Sequence, residues 1–405
     1  MEGPLSGVKV LDLTTFVAAP VCCRLMADLG ATVIKVERPD GDTWRQTGKN
    51  YNLSRFSDEE NPVFDIYNSG KKHIALNLKD PDGMAVFHKL LKEADVFITN
   101  TRLAALQRLG ISYEDLKADY PSLIYGMVVG YGDKGPAADD PAFDTTAFWS
   151  RSGFVRDMAP DGEHYAPVLP PFGVGDTITG YLLLGEVCAA LYRRTVTGKG
   201  ELVTSSLYHN GIFTMGTMEI ISQAPWGRIY PTTRIEYGVP GGYYRCADGE
   251  YIFISINYAE KKLLPLLYQM IGREDLLDDP RFCDGPTGRK YPQEYYEIFR
   301  KAFLQESSEH WLKLARELDM PIVRMNHFRD VTQDEQAWAN DYLEKVTFAN
   351  GNVDVMPRSP IEFASLGPID TKTAPGIGAD TDSVLTALGY SQADIERMKA
   401  TGAIR

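Results

Sequence analysis

Between Val8 and Val129 the chain alternates short β-branched runs with amphipathic helical ones, and no other feature restricts the fold as much. Val8-Lys9-Val10-Leu11-Asp12-Leu13 reads as a strand. A helix is expected from about Pro20 to Leu29, with the proline in its opening turn and Gly30 ending it. Thr32-Val33-Ile34-Lys35-Val36 is the next strand. Met84 to Ala94 is helical, with Phe87, Leu90, Leu91 and Ala94 on one face. Val96-Phe97-Ile98 and Leu123 to Val129 are further strands. Strands joined by helical crossovers run parallel and are covered on both faces. The expectation is therefore an α/β fold built on a Rossmann-like parallel sheet, whose ligand lies beyond the carboxyl ends of the strands. The first turn, Leu13-Thr14-Thr15-Phe16-Val17-Ala18-Ala19-Pro20, lacks the G-x-G-x-x-G of a dinucleotide site.

The length of 405 residues exceeds one ordinary core and points to more than one domain. Pro225, Pro231, Gly238, Pro240, Gly241 and Gly242 mark a boundary. We divide the chain into a large Rossmann-like domain at 1–224, an inserted smaller α+β domain at 225–330, and a return segment at 331–405 that completes the large domain. With 42 basic and 55 acidic side chains, the formal charge is 42 − 55 = −13. That balance argues against a nucleic-acid or anionic-membrane partner. No apolar run approaches the ~18–20 residues of a membrane span, and the N-terminus lacks the pattern of a secretory signal. Five cysteines without a C-x-x-C suit a reduced, cytoplasmic protein. No zinc-ligand spacing and no G-x-S-x-G elbow occur, so neither a metal site nor a serine hydrolase is indicated.

The most informative segment is Pro170-Pro171-Phe172-Gly173-Val174-Gly175-Asp176-Thr177, which opens a long helix expected from about Asp176 to Arg194. A carboxylate at a helix N-terminus is favoured in its ionised form by the backbone N–H groups there. Asp176 can thus be a cap, or a nucleophile where glycine allows close substrate approach.

At this point the chain resembles the class III CoA-transferases, the family that includes formyl-CoA and carnitine CoA-transferases. The resemblance runs through Val10-Leu11-Asp12-Leu13-Thr14, Leu29 to Glu37, Gly41-Asp42-Thr43-Trp44-Arg45, Leu76-Asn77-Leu78-Lys79, Gly130 to Pro136, Gly175-Asp176 and Thr197-Gly198-Lys199-Gly200. The stretch Asp334 to Leu343 is similar to the branch acting on aromatic or branched 2-hydroxy acids. The resemblance implies that Asp176 is the catalytic nucleophile, forming a mixed anhydride and then an aspartyl-CoA thioester. It implies acyl-CoA and a small carboxylic acid as substrates, no permanently bound cofactor and no metal. It also implies an interlocked homodimer. Contacts to CoA are expected from Arg38, Lys71, Lys72, Asn100, Thr101 and Arg108, with arginine apt for phosphate. The acyl pocket is expected to include Val17, Phe143, Asp144 and Gly175. Val17 replaces the active-site glutamine of formyl-CoA transferase and suits a larger, less polar acyl group. Two alternatives stand beside this reading. One is an α-methylacyl-CoA racemase, disfavoured because Phe143 stands where those enzymes carry histidine and cannot transfer a proton. The other is a non-catalytic CoA-binding protein. Tyrosines near the domain boundary, namely Tyr230, Tyr237, Tyr243, Tyr244 and Tyr258, either face the acyl pocket or pack the small domain or an interface.

Overall fold

The computed structural model describes residues 3–57, 59–158, 168–230, 232–235, 238–256 and 260–405. Six strands form one parallel sheet: β1 Lys9–Leu13, β2 Thr32–Glu37, β3 Lys72–Ala75, β4 Val96–Thr99, β5 Ile124–Val129 and β6 Leu202–Ser206. Their order is β3-β2-β1-β4-β5-β6, and every pairing is parallel. The direction of winding changes between β1 and β4, so the loops leaving those two strands diverge and open a crevice at their carboxyl ends.

Successive strand residues point to opposite faces, and the two cores follow that alternation. Val10, Val33, Val96, Ile98 and Ile124 face helix α1 (Ala18–Asp28) and the later long helix. Leu11, Val36, Ile74, Phe97 and Tyr125 face the other way, onto Val86, Phe87, Leu90 and Leu91 of the next crossover helix. The first-face set has small α1 partners, Ala18, Ala19, Cys22 and Cys23, so that helix lies close to the sheet. Between them in sequence, α2 (Pro62–Asn68) is capped by Asn61 and α3 (Pro81–Glu93) by Asp80, each with proline in its opening turn. A shorter helix, α4, spans Leu103–Leu109.

Helix α5 runs over 24 residues, Val174–Thr197, and α6 follows β6 at Leu207–Ile221. By length and composition alone α5 could cross a membrane, which corrects the expectation that no such run exists. Its Leu183, Val187, Ala190 and Leu191 are buried against the sheet and α1, so it is the helix that covers this face.

The chain divides into two compact units. The larger holds Met1–Gly153, Pro170–Glu219 and Thr332–Arg405; the smaller holds Phe154–Leu169 and Ile220–Val331. The smaller unit has an antiparallel sheet of β7 Gly242–Arg245, β8 Tyr251–Ile254 and β9 Ile322–Arg324. Helices α7 Glu260–Met270, α8 Pro292–Phe303 and α9 Ser308–Glu317 complete it around an aromatic core with Tyr244, Tyr268, Tyr295, Phe299 and Trp311. In the larger unit the return segment adds the hairpin β10 Leu343–Thr347 and β11 Val353–Pro357, then α10 Thr381–Ala387 and α11 Gln392–Thr401. It is tied down beside β3: the His73 N–H donates to Asp380 Oδ2 at 2.8 Å, and Leu76 pairs with Ile404.

Candidate active site

Three chain segments of the larger unit converge on the turn that starts α5. Gly173 is the N-cap residue and has φ 80°, a left-handed conformation that glycine adopts without penalty. Its N–H donates to Asp144 Oδ2 at 2.7 Å. A Cβ on Gly175 would overlap both the Phe148 ring and Asp144 Oδ1, so only glycine fits there. Val17, the N-cap of α1, is buried on a third side of the turn, with its Cγ1 3.9 Å from where a Gly173 Cβ would be. The carboxylate that caps α5 is therefore Asp144, supplied from the start of the short helical segment Asp144–Ser150. Asp176, in the first helical turn, is left partly buried and free for other work.

The electrostatics differ from what a helix N-terminus alone suggests. Burial first, and the charge of Asp144 second, push the Asp176 carboxyl from its ordinary 3.8 up to about 7. Burial also raises Asp144, while the backbone groups of Gly173, Asp176 and Gly175 favour its ionised form. The phenol of Tyr67 reaches the same turn. It is raised by burial and by the charge of Asp176, and its hydroxyl hydrogen-bonds Thr177. Thr177 Oγ1 in turn donates to the Gly173 carbonyl at 2.7 Å.

The crevice between β1 and β4 is held by side chains. Asn100 clamps Thr15 on both backbone groups, accepting its N–H at 3.0 Å and donating to its carbonyl at 2.7 Å. The next residue, Phe16, has φ 63°, a strained value for an aromatic residue. Asp42 Oδ1 accepts the N–H groups of Phe16 (3.4 Å) and Trp44 (2.9 Å). Asp42 is itself paired with the fully buried Lys35 at 3.0 Å, and Lys35 also donates to the Thr14 carbonyl at 2.8 Å. Arg45 is locked by a bidentate pair to Glu37 at 2.8 Å and by the Pro375 carbonyl at 2.9 Å.

This scaffolding presents an aromatic wall of which only Phe143 was expected from the sequence. Phe16 lies edge-on to Phe143, with ring centroids 5.7 Å apart, and 5.9 Å from Trp44. Trp44 stands 6.4 Å from both Tyr67 and Phe172. Tyr51 stacks on Phe172 at 5.2 Å with 13° between the planes. Position alone gave one signal: Phe16, Phe143 and Phe172 each immediately precede a residue that forms or touches the glycine turn.

The other expected residues separate. Arg38 lies just past the carboxyl end of β2, exposed, and pairs with Asp40 at 2.9 Å, its one ion-pair partner among the described residues. Asn100 and Thr101 follow β4 at the same edge, where the Thr101 N–H donates to Thr99 Oγ1 at 3.1 Å. Arg108 is exposed on α4. Lys71 corrects the expectation of a CoA contact. It is fully buried and donates to Asp12 Oδ2, the Pro20 carbonyl and Asn68 Oδ1 at 2.9–3.0 Å, leaving no donor for a phosphate. Against the effect of burial, Lys71 and Lys35 hold the Asp12 carboxyl below its ordinary value. Lys72 begins β3 and so lies at the amino edge of the sheet, in a cleft with Lys9, Leu90, Glu93 and Leu388, away from Arg38. Of the boundary tyrosines, Tyr244 is buried in the small core, Tyr230 is half-buried and Tyr243 is exposed, while Tyr237 and Tyr258 lie outside the described residues. Among the described residues no group of three or more His, Cys, Asp or Glu side chains is placed to hold a metal.

Residues 5–381 match the CoA-transferase family III profile. The chain belongs to CoA-transferase family III. Over 403 residues it is 38% identical to (R)-2-hydroxy-4-methylpentanoate CoA-transferase of Clostridioides difficile, covering 99% of both chains. It is 36% identical over 401 residues to cinnamoyl-CoA:phenyllactate CoA-transferase of Clostridium sporogenes, covering 97% of this chain and 95% of that one. A CaiB/BaiF family protein from Brucella suis superposes with a TM-score of 0.82 at 25% identity, covering 96% of this chain and all of the other. The family III fold therefore accounts for both the sheet and the inserted unit. The resemblance read from the sequence, down to the 2-hydroxyacyl branch among its relatives, is borne out.

Proposed function

We propose that this family III CoA-transferase moves CoA from an acyl-CoA donor to a 2-hydroxy acid through covalent intermediates on Asp176. One observation carries the reading: a carboxylate stands beside two glycines at a helix start whose capping position is already filled by Asp144. The names of the two clostridial relatives supply the acid class. The Asp176 carboxylate attacks the thioester carbonyl, giving a mixed anhydride and CoA thiolate. The thiolate attacks the aspartyl carbonyl, forms an aspartyl-CoA thioester and releases the donor acid. The acceptor carboxylate attacks that thioester, and the thiolate then attacks the acyl carbonyl and restores Asp176. Each difficult exchange is split into easier steps, with no net bond energy to supply. The oxyanions need N–H donors. Gly173 is not one of them, since its N–H is engaged by Asp144.

Arg38, Asn100, Thr101 and Arg108, at or near the carboxyl edge, are our choice for the CoA side of the site. A racemase reading gains nothing here, because Phe143 carries no exchangeable proton. We also place the enzyme in the cytoplasm as a homodimer. Tyr181, Leu182, Tyr192 and Val196 on α5, with Phe213 and Met218 on α6, form apolar surface that a second copy would cover.

The test is Asp176→Asn and Asp176→Ala. Transfer is expected to fall more than ~10³-fold, because the covalent route is lost. In the wild type, hydroxylamine added with an acyl-CoA should mark Asp176 as a hydroxamate by mass spectrometry. Normal turnover in either variant, or a mark on another residue, refutes the assignment.

A further inference from the structure

The exchange assigned to Asp176 needs carboxylate chemistry but says nothing of why six aromatic side chains surround its helix start. Three of them leave half their surface open: Tyr51 is 54% exposed, Phe143 57% and Phe172 53%. Rings left open side by side next to a reactive group form an apolar patch of the kind that a ligand covers. The occupant is bounded by what the turn carries. Phe172 leads into Gly173, Phe143 into Asp144 and Phe16 into Val17, so each ring belongs to a residue next to one that forms or touches the turn carrying Asp176. The group that extends from the acyl carbonyl is the side chain of the acid.

Resting on the reading that Asp176 exchanges CoA between 2-hydroxy acids, we infer that this wall receives the acid's side chain and selects an aryl ring over a branched aliphatic chain. Both preferred aromatic geometries are already present. Tyr51 and Phe172 are stacked at 5.2 Å, and Phe16 and Phe143 meet edge to face at 5.7 Å and 79°. An incoming phenyl group extends either arrangement and gains the ring–ring term as well as burial, whereas an isobutyl group gains burial alone. Sequence identity does not make this choice, since the aliphatic-acid relative stands at 38% and the aryl-acid relative at 36%. The wall is also fixed in advance. Asp42 holds the backbone of both Phe16 and Trp44, and Asn100 holds Thr15, so those two rings need not be ordered by the substrate.

The test is a competition for one acyl-CoA donor between phenyllactate and 2-hydroxy-4-methylpentanoate, read as the ratio of kcat/KM values. The same measurement is made with 3-phenylpropanoate against 4-methylpentanoate, which differ in the ring but carry no hydroxyl. The wild type should favour the aryl acid in each pair by roughly tenfold, the scale of one ring–ring contact. Phe172→Leu and Tyr51→Leu should each collapse the ratio toward unity, and Phe172→Tyr, which keeps the ring, should preserve it. Tyr51 and Phe172 are surface-open, so these variants are expected to fold. Equal use of both acids by the wild type, or a ratio untouched by the leucine variants, overturns the inference. If both hydroxy acids fail but the aryl preference appears in the second pair, the 2-hydroxy assignment falls and the aromatic wall stands.

Discussion

Replacing Asp144 by asparagine should move the acid limb of the activity profile, and the structure sets both the sign and a ceiling. In the proposed exchange Asp176 attacks as a carboxylate, so activity is expected above its pKa and lost as pH falls through it. With that pKa at about 7, wild-type kcat/KM should drop with unit slope in acid, to about a tenth of its plateau at pH 6. The displacement from 3.8 to about 7 is roughly 3 pH units, and burial is its larger cause, with Asp144 the smaller. Neutralising Asp144 therefore lowers the Asp176 pKa, by less than half of that displacement, or at most ~1.5 pH units. The asparagine can still accept the Gly173 N–H, but its amide hydrogens cannot accept the N–H groups of the first turn. A stability loss of ~1–3 kcal/mol should accompany the shift. The assay is initial-rate kcat/KM for the acyl-CoA donor from pH 5 to 8.5, since this ratio reports ionisation in the free enzyme. A flat wild-type profile across pH 6–8, or an acid limb that moves upward in the variant, would refute the argument that burial and Asp144 hold the proton on Asp176.

Other expectations follow from the same contacts. Lys71→Met should cost ~3–5 kcal/mol in denaturation experiments, because Asp12 is left buried without its partner. The double change with Asp12→Leu should recover much of that loss, and a purely CoA-binding Lys71 would show neither effect. Arg38→Ala should raise KM for the CoA ester roughly tenfold with little change in kcat, as expected for loss of one charged hydrogen bond to a group remote from the chemistry. Lys72→Ala, at the opposite edge of the sheet, should leave that KM alone, and the reverse outcome would relocate the nucleotide. Gly175→Ala should reduce kcat steeply, since its methyl group must displace the Phe148 ring or Asp144, and overpacking of this kind costs ~1–3 kcal/mol. Normal kinetics in that variant would show that the turn tolerates movement.

The parallel sheet was readable because each of its signals is local. Val10 and Leu11, or Val96 and Phe97, belong to different faces by alternation alone, and the helices between them carry their own periodicity. Where the periodicity was interrupted the reading erred. The apolar length of α5 escaped notice because Asp176, Glu186, Arg193 and Arg194 break up its sequence, although its buried stripe of Leu183, Val187, Ala190 and Leu191 is continuous.

The site divides along the same line between local and distant causes. Asp176 and Arg38 were proposed from local patterns, glycines and a carboxylate before a helix in one case and a strand end in the other. Lys71 was misplaced because its neighbour Lys72 is exposed, and nothing within a few residues distinguishes the two. The distinction comes from Asp12, fifty-nine positions away, whose buried carboxylate requires a buried cation. Asp144 likewise acts on Gly173 across twenty-nine positions, and it changes the chemistry as well as the packing. By taking over the capping of α5 it relieves Asp176 of that structural role, and its own charge then opposes the ionisation of Asp176. The nucleophile we propose gains from both effects: its oxygens are not tied up by N–H donors, and a carboxylate of raised pKa is more basic than one held at the usual 3.8.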